Sequence, residues 1–176
     1  TTALEFACDS WLATYLVEVG NLSESIGARF TTLYFVGMAS GRFTSGIAVK
    51  KLKSSVITYL GFVFIGIAII IQFLPISIYV KGISFFLIGF GNGPIFPNFT
   101  HIVPSRFGKE LSQSIVSSQM VFANIGLLIS PILFSIIAQY ISVKTYPVYL
   151  AVLLIGLIVF VLLYDRNLKI KYGKGI

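Results

Sequence analysis

The chain alternates long apolar stretches with short polar connections. The apolar stretches lie near 1–19, 27–49, 55–74, 82–103, 113–138 and 146–164. Each is about 20 residues or slightly longer, the length that a helix needs to cross about 30 Å of hydrocarbon. They are too long and continuous for the alternating strands of about 10 residues that build a membrane β-barrel. The pattern therefore predicts an all-α membrane protein whose six transmembrane helices use nearly all of residues 1–176.

The six predicted helices are of two kinds. The third and the sixth are apolar on every side, which is typical of helices that face lipid. The other four carry polar or small residues at membrane depth, as helices do that face a protein interior or a water-filled cavity. The order polar, polar, apolar occurs twice, and three spans are an odd number. The pattern thus predicts two inverted three-helix repeats, an arrangement typical of secondary transporters.

The positions of the charged residues predict how the six helices are oriented across the membrane. Hydrophobic residues make up 56% of the chain and its net charge is +7. If the first residue lies on the cytoplasmic side, only Arg29, Lys81 and Lys144 of the 13 Lys and Arg residues fall outside. The positive-inside rule then predicts an inner or plasma membrane protein with both ends cytoplasmic. A nucleic-acid partner is not expected, because that needs a basic face on a soluble domain.

The first helix carries two carboxylates on one face. Glu5 and Asp9 are one turn apart, and two such groups cannot both ionise cheaply at membrane depth, which suits proton coupling. Glu5 could instead be solvated near the membrane surface. Trp11 and Tyr15 share the adjacent face, where aromatic rings stack on sugars or form membrane-interface belts. Asp9, Trp11 and Tyr15 are candidate substrate contacts.

The second helix carries a close-packing motif. Gly37 and Gly41 form a GxxxG pair, which lets another helix approach backbone to backbone. Arg42 follows near the predicted cytoplasmic end, where it can cap a partner helix or pair with a carboxylate. The three residues serve either as packing and a positive-inside anchor or as a gating contact between sliding helices.

The fourth helix is interrupted by glycine and proline. Three glycines, the last at Gly93, come close to Pro94 and Pro97, and this combination predicts a bent or broken helix between Gly89 and Asn98. Such a span indicates the binding region of a transporter, where Asn92 and Asn98 could contact a hydroxylated ligand. The alternative is a structural kink.

The fifth helix has two polar stripes. Ser117 and Asn124 lie on one, and Gln119, Gly126 and Ser130 lie on the other. One stripe would line a cavity while small residues pack against a neighbour, and the sequence does not decide which. Asn124 and Gln119 are further candidate substrate contacts.

The sequence offers little for enzyme chemistry. It contains neither a P-loop, nor HExxH, nor the Gly-x-Ser-Gly of a rhomboid-like protease. One His and one Cys cannot form a zinc site of the usual kind, and Cys8 is expected to be a packing residue. We therefore expect no catalytic activity, no metal and no cofactor.

Three segments resemble the major facilitator superfamily, and within it the fucose/glucose/galactose:proton symporters. They are "WLATYL" with the preceding Glu5, "GMASGRFTSG" and "GFGNGPIFPNF". The second is similar to the superfamily's loop motif but has Gly41 where an acidic residue is expected before Arg42. The resemblance covers nearly the whole chain and implies helices seven to twelve of a twelve-helix carrier, with the N-terminal six-helix half absent.

The function expected from these observations is secondary active transport. The solute would be small and polar, with a sugar as the first expectation, and coupled to protons by alternating access. A drug or metabolite exporter of the same fold is the alternative, and a six-span assembly protein that oligomerises through its GxxxG faces is a third. Because the chain begins at Thr1, within the first predicted span, we expect it to be a piece of a longer protein. Its partners would be the solute, the bilayer and the missing half.

Overall fold

The protein is a bundle of α-helices over the residues that the structure describes. The computed structural model covers the backbone of residues 1–172 and their side chains, apart from those of 105, 106, 109 and 167–172. Residues 173–176, including Lys174 of the predicted cytoplasmic group, lie outside the described residues. A 3₁₀ turn at Val143–Thr145 precedes the last helix. The helices are α1 (Thr2–Gly20), α2 (Glu24–Ala48), α3 (Ser54–Phe73), α4 (Ile78–Asn92), α5 (Ile95–Tyr140) and α6 (Tyr146–Tyr172).

Four segments are long and apolar enough to cross a membrane: Ser54–Phe73, Ile78–Pro104, Glu110–Tyr140 and Val143–Arg166. The predicted all-helical class is confirmed, whereas the six predicted spans are met by these four among the described residues. α1 falls short because it carries Glu5, Asp9 and Glu18, and α2 because Gly, Ser and Thr dilute its apolar residues. Six spans and the inverted repeat stay predictions.

Gly108 divides α5 into two unequal rods. The sequence predicted a connection between residues 103 and 113, but the chain stays helical on both sides of this one residue. Gly108 has φ 79° and ψ 164°, a region that is essentially restricted to glycine. The link between the fourth and fifth predicted spans is therefore a single-residue hinge point in an otherwise helical segment.

The predicted break in the fourth span is confirmed. α4 ends at Asn92 and α5 begins at Ile95. Gly93 and Pro94 both keep right-handed helical dihedral angles, so the chain loses hydrogen bonds here without turning away. Because proline has no N–H, Pro94 cannot donate to the Phe90 carbonyl and Pro97 cannot donate to that of Gly93.

Reciprocal glycines bring α2 and α4 together. A Cβ on Gly37 or Gly41 would collide with the carbonyl oxygen of Phe86 or Phe90, respectively. In return, a Cβ on Gly89 or Gly93 would collide with the backbone of α2. The predicted backbone-to-backbone approach at the GxxxG pair is therefore confirmed, with α4 as the partner, and we call this contact the glycine seam.

The contacts also fix the direction in which the helices run. Along the glycine seam, rising residue numbers in α2 meet rising numbers in α4, so these two helices are parallel. Gly126 and Ser130 of α5 meet the first turn of α1, and Trp11 of α1 meets Pro131 of α5, which makes that pair parallel too. In contrast, α3 runs antiparallel to α4, with Gln72 bonded to the Lys81 carbonyl at 2.9 Å.

These directions collect the basic residues at one end of the bundle. The start of α1 meets the end of α2 through Glu5 and Arg42, and it shares a cavity with Phe107 and Tyr164. This end, which we call the basic end, includes the residue 49–53 connection, the Gly108 bend and the last turns of α6. Its cationic residues with described backbone are Arg42, Lys50, Lys51, Lys53, Arg106, Lys109, Arg166, Lys169 and Lys171.

Candidate functional site

The first candidate site links three helices near the basic end. The Nη2 atom of Arg42 lies 3.6 Å from Oε1 of Glu5 on α1, and Arg42 Nε donates to the Gly93 carbonyl at 3.4 Å. That carbonyl is available because Pro97 has no N–H to donate to it. Arg42 thus does both things that its position predicted: it pairs with a carboxylate and it caps a helix end. We call this arrangement the Glu5–Arg42–Gly93 link.

The glycine seam is what places Arg42 there. Gly41 lets the α2 backbone approach Phe90, whose carbonyl points to where a Cβ would be. The next residue along α2 then reaches the carbonyl of Gly93 at the end of α4. The link remains partly open to the surface, with 49% of the Arg42 side chain and 21% of the Glu5 side chain exposed.

The second carboxylate of α1 lies on the bundle surface. Asp9 is exposed, one turn beyond Glu5, and Ser10 beside it is exposed too. Glu5, which lies on another helix, is the carboxylate that pairs with Arg42. The sequence predicted a carboxylate partner for Arg42 but did not identify it as Glu5, because the two residues lie on different helices.

Buried polar side chains of a different kind lie where α2 packs against α4. Asn92 is 2% exposed, and neither its amide nitrogen nor its amide oxygen has a hydrogen-bond partner among the described residues. The hydroxyl of Tyr34, fully buried beside it, is also without one. The sequence did carry a signal for Tyr34, which lies three residues before Gly37 and thus on the helix face that packs. Asn98 is buried as well, with its amide nitrogen unpartnered within the described chain.

The two aromatic candidates are packing residues in this structure. Tyr15 is 2% exposed and lies against Tyr146 and Phe85. The Trp11 indole donates to the Pro131 carbonyl at 3.2 Å, and its ring meets Phe134 edge-on with centroids 5.1 Å apart. Tyr15 is therefore enclosed by the bundle, whereas Trp11 is half-buried.

The structure settles which stripe of α5 packs. Gly126 and Ser130 lie against α1, where the Ser130 hydroxyl donates to the Ala3 carbonyl at 2.7 Å. Asn124 and Ser117 are exposed. Gln119 is half-buried and accepts a 3.5 Å hydrogen bond from Thr100. Most of the membrane-length part of α5 is unburied in this chain.

A cavity of about 630 Å³ opens beside the Gly108 bend. Of the candidate residues only Gln119 lines it, so it is separate from the Glu5–Arg42–Gly93 link. Its walls come from both parts of α5, the last turns of α6 and the start of α1, and they are mainly apolar and aromatic. The residues that the structure describes contain no cluster of three His, Cys, Asp or Glu side chains that could hold a metal ion.

No family model, characterised protein or solved structure matches this chain.

Proposed function

We propose that the chain is one six-helix half of a proton-coupled secondary transporter for a small polar solute, such as a sugar. The Glu5–Arg42–Gly93 link is the observation that carries the proposal. Ionised groups at helix contacts in an apolar protein are costly and are kept where they serve transport or coupling. Here one ion pair ties α1 to α2 and, through a carbonyl that proline leaves free, to the α4–α5 break.

The link suggests how proton binding would move helices. Protonation of Glu5 removes the negative charge that holds the Arg42 guanidinium. Loss of this ion pair removes the side-chain contact between the start of α1 and the end of α2, next to the glycine seam. Asp9, one turn away and open, is positioned to deliver or receive the proton. Gly37, Gly41, Pro94 and Pro97 act as gating residues in this proposal.

The exposed polar surface supports a missing partner. Asp9 and Ser10 on α1, together with Ser117 and Asn124 on α5, are exposed although they lie at membrane depth in the proposed carrier. Such side chains face water or protein rather than lipid. A second six-helix bundle that covers this surface would enclose a polar cavity with them, and Asn92 and Asn98 would complete the solute contacts.

Helix pairing supports the inverted repeat. α1 runs parallel to α5 and α2 runs parallel to α4. In an inverted repeat, α1 corresponds to α4 and α2 corresponds to α5. The α1–α5 pair of one arrangement then corresponds to the α4–α2 pair of the other. Small residues make both contacts: the glycines of the seam and, in the second pair, Gly126 and Ser130.

The experiment compares two modes of transport by the intact carrier that contains this chain, reconstituted in proteoliposomes. Asp9→Asn should reduce proton-driven solute accumulation by about 100-fold, the typical contribution of one positioned proton-transfer group. It should leave solute counterflow, which needs no net proton movement, within a fewfold of the unaltered carrier. Glu18→Gln, which removes another exposed carboxylate of α1, is the control and should change neither. Equal losses in both modes would assign Asp9 to packing, and unchanged accumulation would remove it from the mechanism.

A drug or metabolite exporter of the same fold is the second candidate, and the aromatic cavity beside Gly108 favours it. The same proteoliposomes distinguish the two, because a sugar carrier accumulates a labelled sugar and an exporter does not. The assembly-protein alternative is weakened, since the GxxxG face on which it depended is buried in the glycine seam.

A further inference from the structure

The cavity beside the Gly108 bend has the walls of an acyl-chain site. Its volume, about 630 Å³, lies within the range of about 300–1,000 Å³ that is usual for small-molecule sites. Its aromatic lining includes Phe99, Phe107, Phe122 and Phe160. Few polar groups interrupt this lining, the amide of Gln119 being one.

The cavity opens sideways at the bundle surface rather than into the core. Phe122 and Phe160 form its edges, and 72% and 70% of these residues are exposed. They belong to Glu110–Tyr140 and Val143–Arg166, two of the segments that are long and apolar enough to cross a membrane. In a bilayer, lipid chains therefore have direct access to it.

Basic residues lie close along the chain to the lining at one end of this cavity. Arg106 and Lys109 flank the bend next to the lining residue Phe107, and Arg166 is an exposed residue two positions after Tyr164, which also lines the cavity. Lys169 and Lys171 follow in the last turns of α6, and the nearby carboxylates are those of Glu110 and Asp165. The backbone of these two stretches therefore carries five cationic residues and two acidic ones, and we call this end of the cavity the basic rim.

We propose that the cavity binds an anionic phospholipid, with an acyl chain against the phenylalanines and the phosphate at the basic rim. Basic pockets between transmembrane helices bind anionic headgroups, and anionic lipids are abundant in the cytoplasmic leaflet. An uncharged apolar ligand would not need the rim, and a free phosphate would not need the aromatic walls. The site is independent of the proposed transport activity and of the Glu5–Arg42–Gly93 link.

The test titrates the delipidated 176-residue chain with phosphatidylglycerol or phosphatidylcholine of identical acyl chains and counts bound lipid by native mass spectrometry. The unaltered chain should retain one phosphatidylglycerol in preference to phosphatidylcholine. Arg166→Gln should reduce that preference about fivefold, the effect of one basic residue near an anionic surface. Lys144→Gln, which removes an exposed cation at the opposite end of α6, is the matched control and should leave the preference unchanged.

A second variant tests whether an acyl chain occupies the cavity. Ala123→Leu narrows the cavity and should reduce binding of both lipids, with circular dichroism used to confirm that the helical fold is kept. Equal binding of the two lipids by the unaltered chain would overturn the proposal. So would a preference that Arg166→Gln preserves, or one that Lys144→Gln lowers as much. Absence of any retained lipid would overturn it as well.

Discussion

At the scale of single residues, prolines and glycines create the candidate site by what they lack. Pro97 has no N–H, so the Gly93 carbonyl is left for Arg42. Gly41 has no side chain, so the Phe90 carbonyl that Pro94 frees can lie against its backbone. Each of these residues is visible in the sequence, but the sequence indicates a loosened helix and not the arginine that binds there.

The glycine seam predicts the effect of adding one methyl group. Gly41→Ala places a Cβ against the Phe90 backbone, which cannot move aside as a side-chain end could, and overpacking of this kind costs about 1–3 kcal/mol. Gly46→Ala lies on the same helix with nothing within 4 Å. It should stabilise the chain by about 0.5–1 kcal/mol, because alanine favours the helix. Chemical unfolding of both variants in detergent measures the difference, and equal effects would contradict the seam.

At the scale of elements, continuous apolar runs predict helices well and their interruptions less well. The predicted bounds of the first three helices agree with α1, α2 and α3 within three residues. The connection predicted after residue 103 is instead helical up to the bend, because nothing in that stretch except Gly108 leaves the helical region among the described residues. The pattern of apolar residues predicts which segments form helices. The backbone conformation of Gly108 alone decides where the two helical parts of α5 meet.

Gly108 therefore predicts a local conformational cost. Gly108→Ala forces an alanine into a region reserved for glycine, at a cost of about 1–3 kcal/mol unless the bend straightens. Gly156→Ala, inside α6 with nothing within 4 Å, is the control and should not destabilise. Melting temperatures followed by circular dichroism compare the two. A Gly108→Ala melting temperature equal to or above that of Gly156→Ala would show that the bend carries no strain.

At the scale of the whole molecule, the helix directions bring distant basic residues to one end. The sequence predicted this asymmetry from loop order, and the contacts that orient the helices give the same grouping over the described residues. The Glu5–Arg42 pair, the packing roles of Trp11 and Tyr15, and the cavity could not be predicted. They depend on which faces of different helices meet, and that information is spread over the whole bundle.

The collection of basic residues at the basic end predicts the orientation of the chain in a membrane. Because positively charged loops stay in the cytoplasm, a cysteine placed by Lys144→Cys should react with an impermeant reagent in intact cells. One placed by Lys51→Cys should react only after the cells are opened. Cys8 is buried and should contribute little background. The reverse labelling pattern would invert the proposed topology.

Because Trp11 contacts α5, its fluorescence reports on the packing of α1 against α5. Trp11 is the one tryptophan in the sequence. Its ring meets Phe134 and its N–H donates to the Pro131 carbonyl, both on α5. Loss of this contact would transfer the indole to a more polar environment and move its emission to longer wavelength. Relative motion of α1 and α5 in this 176-residue chain can therefore be followed by intrinsic fluorescence, with no added dye.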